Sequence, residues 1–206
     1  MPAPTTIYFA QIAAGSWGDW VRIVNISQER SKILALARNQ YGATVWSSEA
    51  DANPFEAWHP PVEGKADVRG DISLEIRSDK PIAGERHCHN GNQVLDFPGA
   101  SMENRTVSTR LIFPELSAGA ADWVRIFNVG ANEAQVALVL RDINGRIHRQ
   151  LAGNIQPYGW WTVTDANLGQ MSGTLEIMST QPVVAERHMH YQGGQTAVGQ
   201  LGIAID

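Results

Sequence analysis

The chain has 206 residues, of which 43% are hydrophobic and 18% charged, and its formal net charge is −5 at pH 7. That length suits one large domain or two of about 100 residues, and the composition argues against disorder. The acidic balance offers no basic stripe to nucleic acid, and a single cysteine excludes an intrachain disulfide. No signal-peptide pattern and no stretch of about 18 apolar residues occurs, so we expect a cytoplasmic protein that makes no membrane contact.

An internal repeat decides how the chain is organised. Residues 19–25 read Asp-Trp-Val-Arg-Ile-Val-Asn, and residues 122–128 read Asp-Trp-Val-Arg-Ile-Phe-Asn. Later, residues 85–89 read Glu-Arg-His-Cys-His, and residues 186–190 read Glu-Arg-His-Met-His. Ordered matches of this kind predict a tandem duplication. We therefore divide the chain into copy 1 (residues 1–104) and copy 2 (residues 105–206).

Each copy reads as a series of short strands. Apolar runs of strand length occur at residues 21–24, 33–37 and 136–140. Turn residues separate such runs, and they lie at 39–42, 78–81, 142–145 and 179–182. Helical periodicity is absent. The pattern predicts an all-β chain, with two tandem antiparallel β-sandwich repeats related by a pseudo-twofold axis.

The repeated Asp-Trp-Val-Arg sequence places a tryptophan and an arginine on one strand face in each copy. The pairs are Trp20 with Arg22 and Trp123 with Arg125, each two residues apart. We expect core packing, with the arginine stem lying across the indole. The alternative is that Arg22 and Arg125 line a ligand groove.

The two His-x-His strands are the most chemically suggestive motif. In a strand, residues two apart share a face, so each copy presents a carboxylate and two imidazoles together. The residues concerned are Glu85, His87 and His89 in copy 1, and Glu186, His188 and His190 in copy 2. The four histidines could hold zinc or iron, in one shared site if the strands meet or in two separate sites. The simpler interpretation is that they are strand histidines hydrogen-bonded to their neighbours.

Aromatic residues cluster beside proline and glycine in both copies. The candidates for a ligand-binding surface are Trp58 and His59 in copy 1, and Tyr158, Trp160 and Trp161 in copy 2. They could instead form core or a contact between subunits, since tryptophan and tyrosine are enriched at interfaces.

Several stretches of copy 2 resemble the sensory rhodopsin transducer family. They are residues 124–128 (Val-Arg-Ile-Phe-Asn), 136–141, 179–184 and 197–199, and the phrase at 182–187 is also similar to a repeat of bacterial surface β-sandwich proteins. The resemblance implies small cytoplasmic β-sandwich proteins that form tetramers and bind without catalysis. This chain departs from that pattern by its duplication and by its His-x-His motifs.

These observations favour a non-catalytic binding module that recognises a small molecule or a protein partner and forms a homodimer or higher homo-oligomer. The rival hypothesis is a metal-dependent enzyme, in which the histidines hold zinc or iron and Glu85 or Glu186 acts as the base on a bound water. A third is a purely structural assembly protein.

Overall fold

The computed structural model describes residues 5–12, 18–62, 71–191 and 193–205. Strands dominate this part of the chain, and its one helix is the single turn α1 (Asp165–Leu168). The predicted all-β sandwich fold is confirmed. In the described residues, no helix is long and apolar enough to cross a membrane.

Copy 1 is a sandwich of two four-stranded sheets. Its strands are β1 (Thr5–Ile12), β2 (Gly18–Asn25), β3 (Ser31–Arg38), β4 (Thr44–Ala52), β5 (Ala57–Trp58), β6 (Ile72–Ser78), β7 (Ile82–Asn90) and β8 (Gln93–Pro98). One sheet has the order β1-β6-β3-β4 and the other β5-β2-β7-β8. Strands β1 and β8 are therefore edge strands on the two layers.

Copy 2 repeats this plan with one difference. Its strands are β9 (Ser108–Leu116), β10 (Ala121–Asn128), β11 (Ala134–Asp142), β12 (Ile147–Ile155), β13 (Trp160–Val163), β14 (Gly173–Tyr191), β15 (Thr196–Leu201) and β16 (Ile203–Ala204). The long strand β14 runs without a break through the positions that β6 and β7 occupy in copy 1. The two layers of copy 2 consequently join into one eight-stranded sheet.

The side chains at every second position of the strands point inwards and fill a core in each copy. On β2, Val21 and Ile23 point inwards and are buried, whereas Arg22 lies on the outer face and is exposed. In copy 2, Val124 and Ile126 take the inward positions. This period of two is what the sequence pattern predicts for a half-buried sheet.

A repeated asparagine closes a corner of each sandwich. The amide of Asn25 donates to the carbonyl of Ala52 at 3.0 Å, and the amide of Asn128 donates to the carbonyl of Ile155 at 3.2 Å. Both side chains are fully buried. The asparagine that ends each repeated Asp-Trp sequence therefore satisfies backbone carbonyls that the turn leaves unpaired.

The copies pack through unlike surfaces. Copy 1 contributes the edge formed by β1 and β8, and copy 2 contributes the outer face of β10, β14 and β15. The ring of Tyr8 packs on Phe127 with centroids 5.9 Å apart, and Phe97 packs on His188 at 5.0 Å. A pseudo-twofold axis would pair the same surface from each copy. The contact is instead heterologous, which corrects the symmetry expected from the sequence.

Candidate functional site

A chain of buried charges joins the copies at the centre of their contact. The guanidinium of Arg86 donates through Nε to Asp19 Oδ1 and through Nη1 to Glu186 Oε2, both at 2.8 Å. Glu186 Oε1 also accepts the backbone N–H of Ala10 at 2.6 Å. Arg86 and Glu186 are both fully buried. Burial alone would raise the pKa of Glu186, but Arg86 and the hydrogen bonds hold it below its usual value.

Glu186 therefore holds the copies together and does not face open solvent as a catalytic base would. The sequence analysis also did not predict that the repeated aspartates pair with buried arginines. Asp19 pairs with Arg86, and in copy 2 the matching Asp122 accepts from Arg187 Nη2 at 2.7 Å. The ordered recurrence of the Asp-Trp and Glu-Arg sequences, with 67 positions from Asp19 to Arg86 and 65 from Asp122 to Arg187, was the signal that could have revealed these pairs.

The two His-x-His pairs lie in different environments. His188 is buried between the Trp123 ring at 4.9 Å and the Phe97 ring at 5.0 Å, and His190 stacks on Trp123 at 4.6 Å. Burial lowers the pKa of His188, although the nearby Glu186 carboxylate opposes that shift.

In copy 1 the matching side chains lie on an open surface. His87 stacks on Trp20 with centroids 4.9 Å apart, and its Nδ1 lies 2.5 Å from Asp96 Oδ1. His89 and Glu85 are exposed. Phe97 pairs with Arg86, the residue before His87, so Phe97 and His87 point to opposite faces of their sheet. The ring that contacts His188 therefore lies on the face away from His87. The four histidines therefore do not converge on one shared site.

No separate metal site is evident either: in the described ranges, no three His, Cys, Asp or Glu side chains are grouped as metal ligands. Of the copy 1 aromatic candidates, Trp58 packs against the core and His59 is exposed. Arg22 donates through Nε to His59 Nε2 at 3.2 Å and lies 5.3 Å from the Trp20 ring.

A cleft at the boundary between the copies holds the arginine that matches Arg22. The Arg125 side chain is 1% exposed, and its Nη2 donates to Asp71 of copy 1. Its guanidinium lies 3.6 Å from the centre of the Trp160 ring. Nε and Nη1 are buried and have no acceptor within the described part of the chain. Burial lowers the pKa of Arg125, and Asp71 counteracts this.

The cleft has a volume of about 350 Å³ and walls from both copies. Copy 1 supplies Gln11 and Asp71, and copy 2 supplies Asp122, Trp123, Arg125, Thr162 and Asp165, among others. Thr162 Oγ1, on the same strand face as Arg125, is buried and has no hydrogen-bond partner among the described residues. Asp122 points to the opposite face of β10, where it pairs with Arg187, and burial raises its pKa despite that pairing. The cleft therefore presents the Arg125 donors beside the Thr162 hydroxyl.

The aromatic candidates of copy 2 have separate roles. The Tyr158 ring receives the guanidinium of Arg38 from copy 1 at 4.3 Å, so it belongs to the contact between copies. Trp161 packs against the copy 2 core. Trp160 supports Arg125. Of the predicted ligand-binding residues, Arg125 lines the cleft and Trp160 backs it.

Comparisons with known proteins leave the family open. No protein family model and no curated protein matches the chain. The alignment with the crystal structure of Thermotoga maritima 1070 covers 48% of this chain and 95% of that protein's chain, at 15% identity and a TM-score of 0.43. The alignment with a calcium-binding mutant of Bacteroides uniformis β-glucuronidase 2 covers 98% of this chain and 26% of the enzyme's chain, at 9% identity and a TM-score of 0.23.

The alignment with a Ruminococcus gnavus β-glucuronidase in complex with an N1-substituted uronic isofagomine covers 98% of this chain and 37% of the enzyme's chain, at 10% identity and a TM-score of 0.23. The chain thus spans well under half the length of these β-glucuronidases. Likenesses this weak assign no activity. None of the three is described as a sensory rhodopsin transducer, so that resemblance stays a prediction.

Proposed function

We propose that the protein is a non-catalytic binding module that holds a small polar molecule in the cleft between its two copies. The observation that carries this proposal is the buried guanidinium of Arg125, with two N–H groups for which the described residues provide no acceptor. An unpaired buried donor costs free energy, and a bound ligand would recover that cost. The matching Arg22 of copy 1 is exposed and reaches His59 instead.

The chemistry of the cleft limits the ligand. Arg125 Nε and Nη1 need an acceptor oxygen, from a hydroxyl or a carboxylate. The Thr162 hydroxyl can donate to or accept from a ligand hydroxyl. Because Asp71 already pairs with Arg125, the ligand does not have to be an anion. A volume of about 350 Å³ suits a molecule of monosaccharide or amino-acid size.

A ligand screen tests this proposal. Monosaccharides, sugar acids and amino acids are assayed by thermal shift, and hits are measured by titration calorimetry. The Thr162→Val variant removes a hydroxyl at the cleft and the Asp165→Asn variant removes a negative charge there, and we expect each to weaken binding roughly three- to tenfold. Arg22→Ala, at the matching position of copy 1, should leave the affinity unchanged. Hits that bind all four proteins equally would refute the proposal.

The rival metal-dependent enzyme is not proposed, since the histidines that would hold its ion are divided between a buried contact and an open surface. A protein partner and a cytoplasmic location stay predictions from the sequence.

A further inference from the structure

The two copies carry matching outer faces on the sheets that hold the His-x-His strands. The face of copy 1, here called the copy 1 face, carries Trp20, Arg22, Glu85, His87 and His89. The matching positions of copy 2 are Trp123, Arg125, Glu186, His188 and His190. The copy 2 face is covered by copy 1, whereas Arg22, Glu85 and His89 of the copy 1 face are exposed.

The covered face shows what this surface accepts. It binds the β1/β8 edge of copy 1 through three contacts. The Ala10 N–H and Arg86 Nη1 each donate a hydrogen bond to Glu186, and the Phe97 ring packs on His188. The Phe97 ring approaches so closely that a Cβ added at Gly199 would lie 2.3 Å from it. A glycine at that position is therefore part of the contact.

A heterologous contact joins two unlike surfaces, so each copy keeps one of these surfaces that the other copy does not cover. The unused edge belongs to β9 and β15 of copy 2. The strand registers align Phe113 with Phe9, so Pro114 stands where copy 1 has Ala10. They also align Gln200 with Phe97, and Asp96 on the copy 1 face with Gly199.

These three differences remove two of the three contacts, the N–H donated to the glutamate and the aromatic ring packed on the histidine. Pro114 has no N–H to donate to a carboxylate. Gln200 offers no aromatic ring. Asp96 places a side chain where Gly199 leaves room for Phe97, and it is already engaged by His87.

We propose that the copy 1 face and the β9/β15 edge are the two halves of a head-to-tail contact with a second copy of this chain, and that Asp96, Pro114 and Gln200 block it. The polar ends then act as caps, as the terminal units of repeat arrays do. The proposal does not depend on ligand binding in the cleft, and it leaves self-association through other surfaces open.

Restoring the contact tests the proposal. The unmodified chain should sediment as one finite species over a wide range of concentration. The triple variant Asp96→Gly/Pro114→Ala/Gln200→Phe should form larger species, as a closed ring or an open ladder, whose share rises with concentration. Adding Glu85→Ala should abolish these larger species, and adding the control Glu49→Ala, at an exposed position of β4, should not. Open-ended growth of the unmodified chain, or a triple variant that sediments like it, would overturn the proposal.

A milder pair of variants keeps the test decisive if the triple variant folds poorly. Asp96→Gly alone opens the face, and Pro114→Ala/Gln200→Phe alone opens the edge. Each protein by itself should sediment like the unmodified chain, whereas their mixture should add a species that contains one of each. A mixture of folded proteins, checked by circular dichroism, that shows no such species contradicts the proposal.

Discussion

At the scale of single residues, buried arginines divide into two kinds. Arg86 has carboxylate partners on both sides, from Asp19 and Glu186. Arg125 is equally buried, yet within residues 5–12, 18–62, 71–191 and 193–205 it has one carboxylate partner and two N–H groups without an acceptor. A fully paired buried charge is structural, whereas an incompletely paired one lowers stability and indicates a ligand.

Replacing each arginine by methionine separates the two kinds. Arg86→Met leaves Glu186 buried without its cation, and we expect it to cost about 3–5 kcal/mol of unfolding free energy. Arg125→Met removes unpaired donors and leaves Asp71 half in solvent, so the ligand-free protein should be unchanged or more stable by about 1 kcal/mol. Urea denaturation measures both values. A larger loss for Arg125→Met than for Arg86→Met would show that Arg125 has a structural role.

The buried histidine makes stability depend on pH. The folded-state pKa of His188 lies below its unfolded value, so the unfolded chain binds a proton first as the pH falls. Unfolding free energy should therefore decrease below about pH 6.5, by up to about 1.4 kcal/mol per pH unit.

Stability curves of His188→Gln and the unmodified protein from pH 7.5 to 5.5 check this expectation. The His188 variant should lose part of the slope, with His190 contributing the remainder because burial also lowers its pKa. Parallel curves for the His188 variant and the unmodified protein would contradict the assignment.

At the scale of elements, close packing of β8 on β15 depends on a glycine. A Cβ at position 199 meets Phe97 at 2.3 Å, so Gly199→Ala should cost about 1–3 kcal/mol. In a Phe97→Leu background the same substitution should cost clearly less, because the clash is with the ring. Thermal unfolding of the four proteins provides the comparison. Equal costs in both backgrounds would place the strain elsewhere.

The strands were the predictable part of this structure. Short apolar runs and turn residues mark β2, β3 and β11, and the repeated Asp-Trp and Glu-Arg sequences align the copies. The continuity of β14 could not be predicted, because residues 179–182 carry the same turn chemistry as residues 78–81 of copy 1, and tertiary packing decides whether the chain breaks there.

At the scale of the whole molecule, duplication does not imply symmetry. A sequence repeat specifies two like units but not which of their surfaces meet, since that choice depends on a few side chains such as Ala10, Phe97 and Gly199. For the same reason, the sequence identified Arg125 as a candidate without locating the cleft. The cleft needs Gln11 and Asp71 from the other copy.

Both proposals rest on this asymmetric contact, and a pair of double-mutant cycles tests it most directly. Unfolding free energies are measured for Arg86→Met, Glu186→Gln and their combination, and for Arg187→Met, Glu85→Gln and their combination. The heterologous contact predicts a coupling energy of at least about 1 kcal/mol between Arg86 and Glu186, and less than about 0.5 kcal/mol between Arg187 and Glu85. Equal couplings in the two cycles, as a twofold contact requires, would contradict the account.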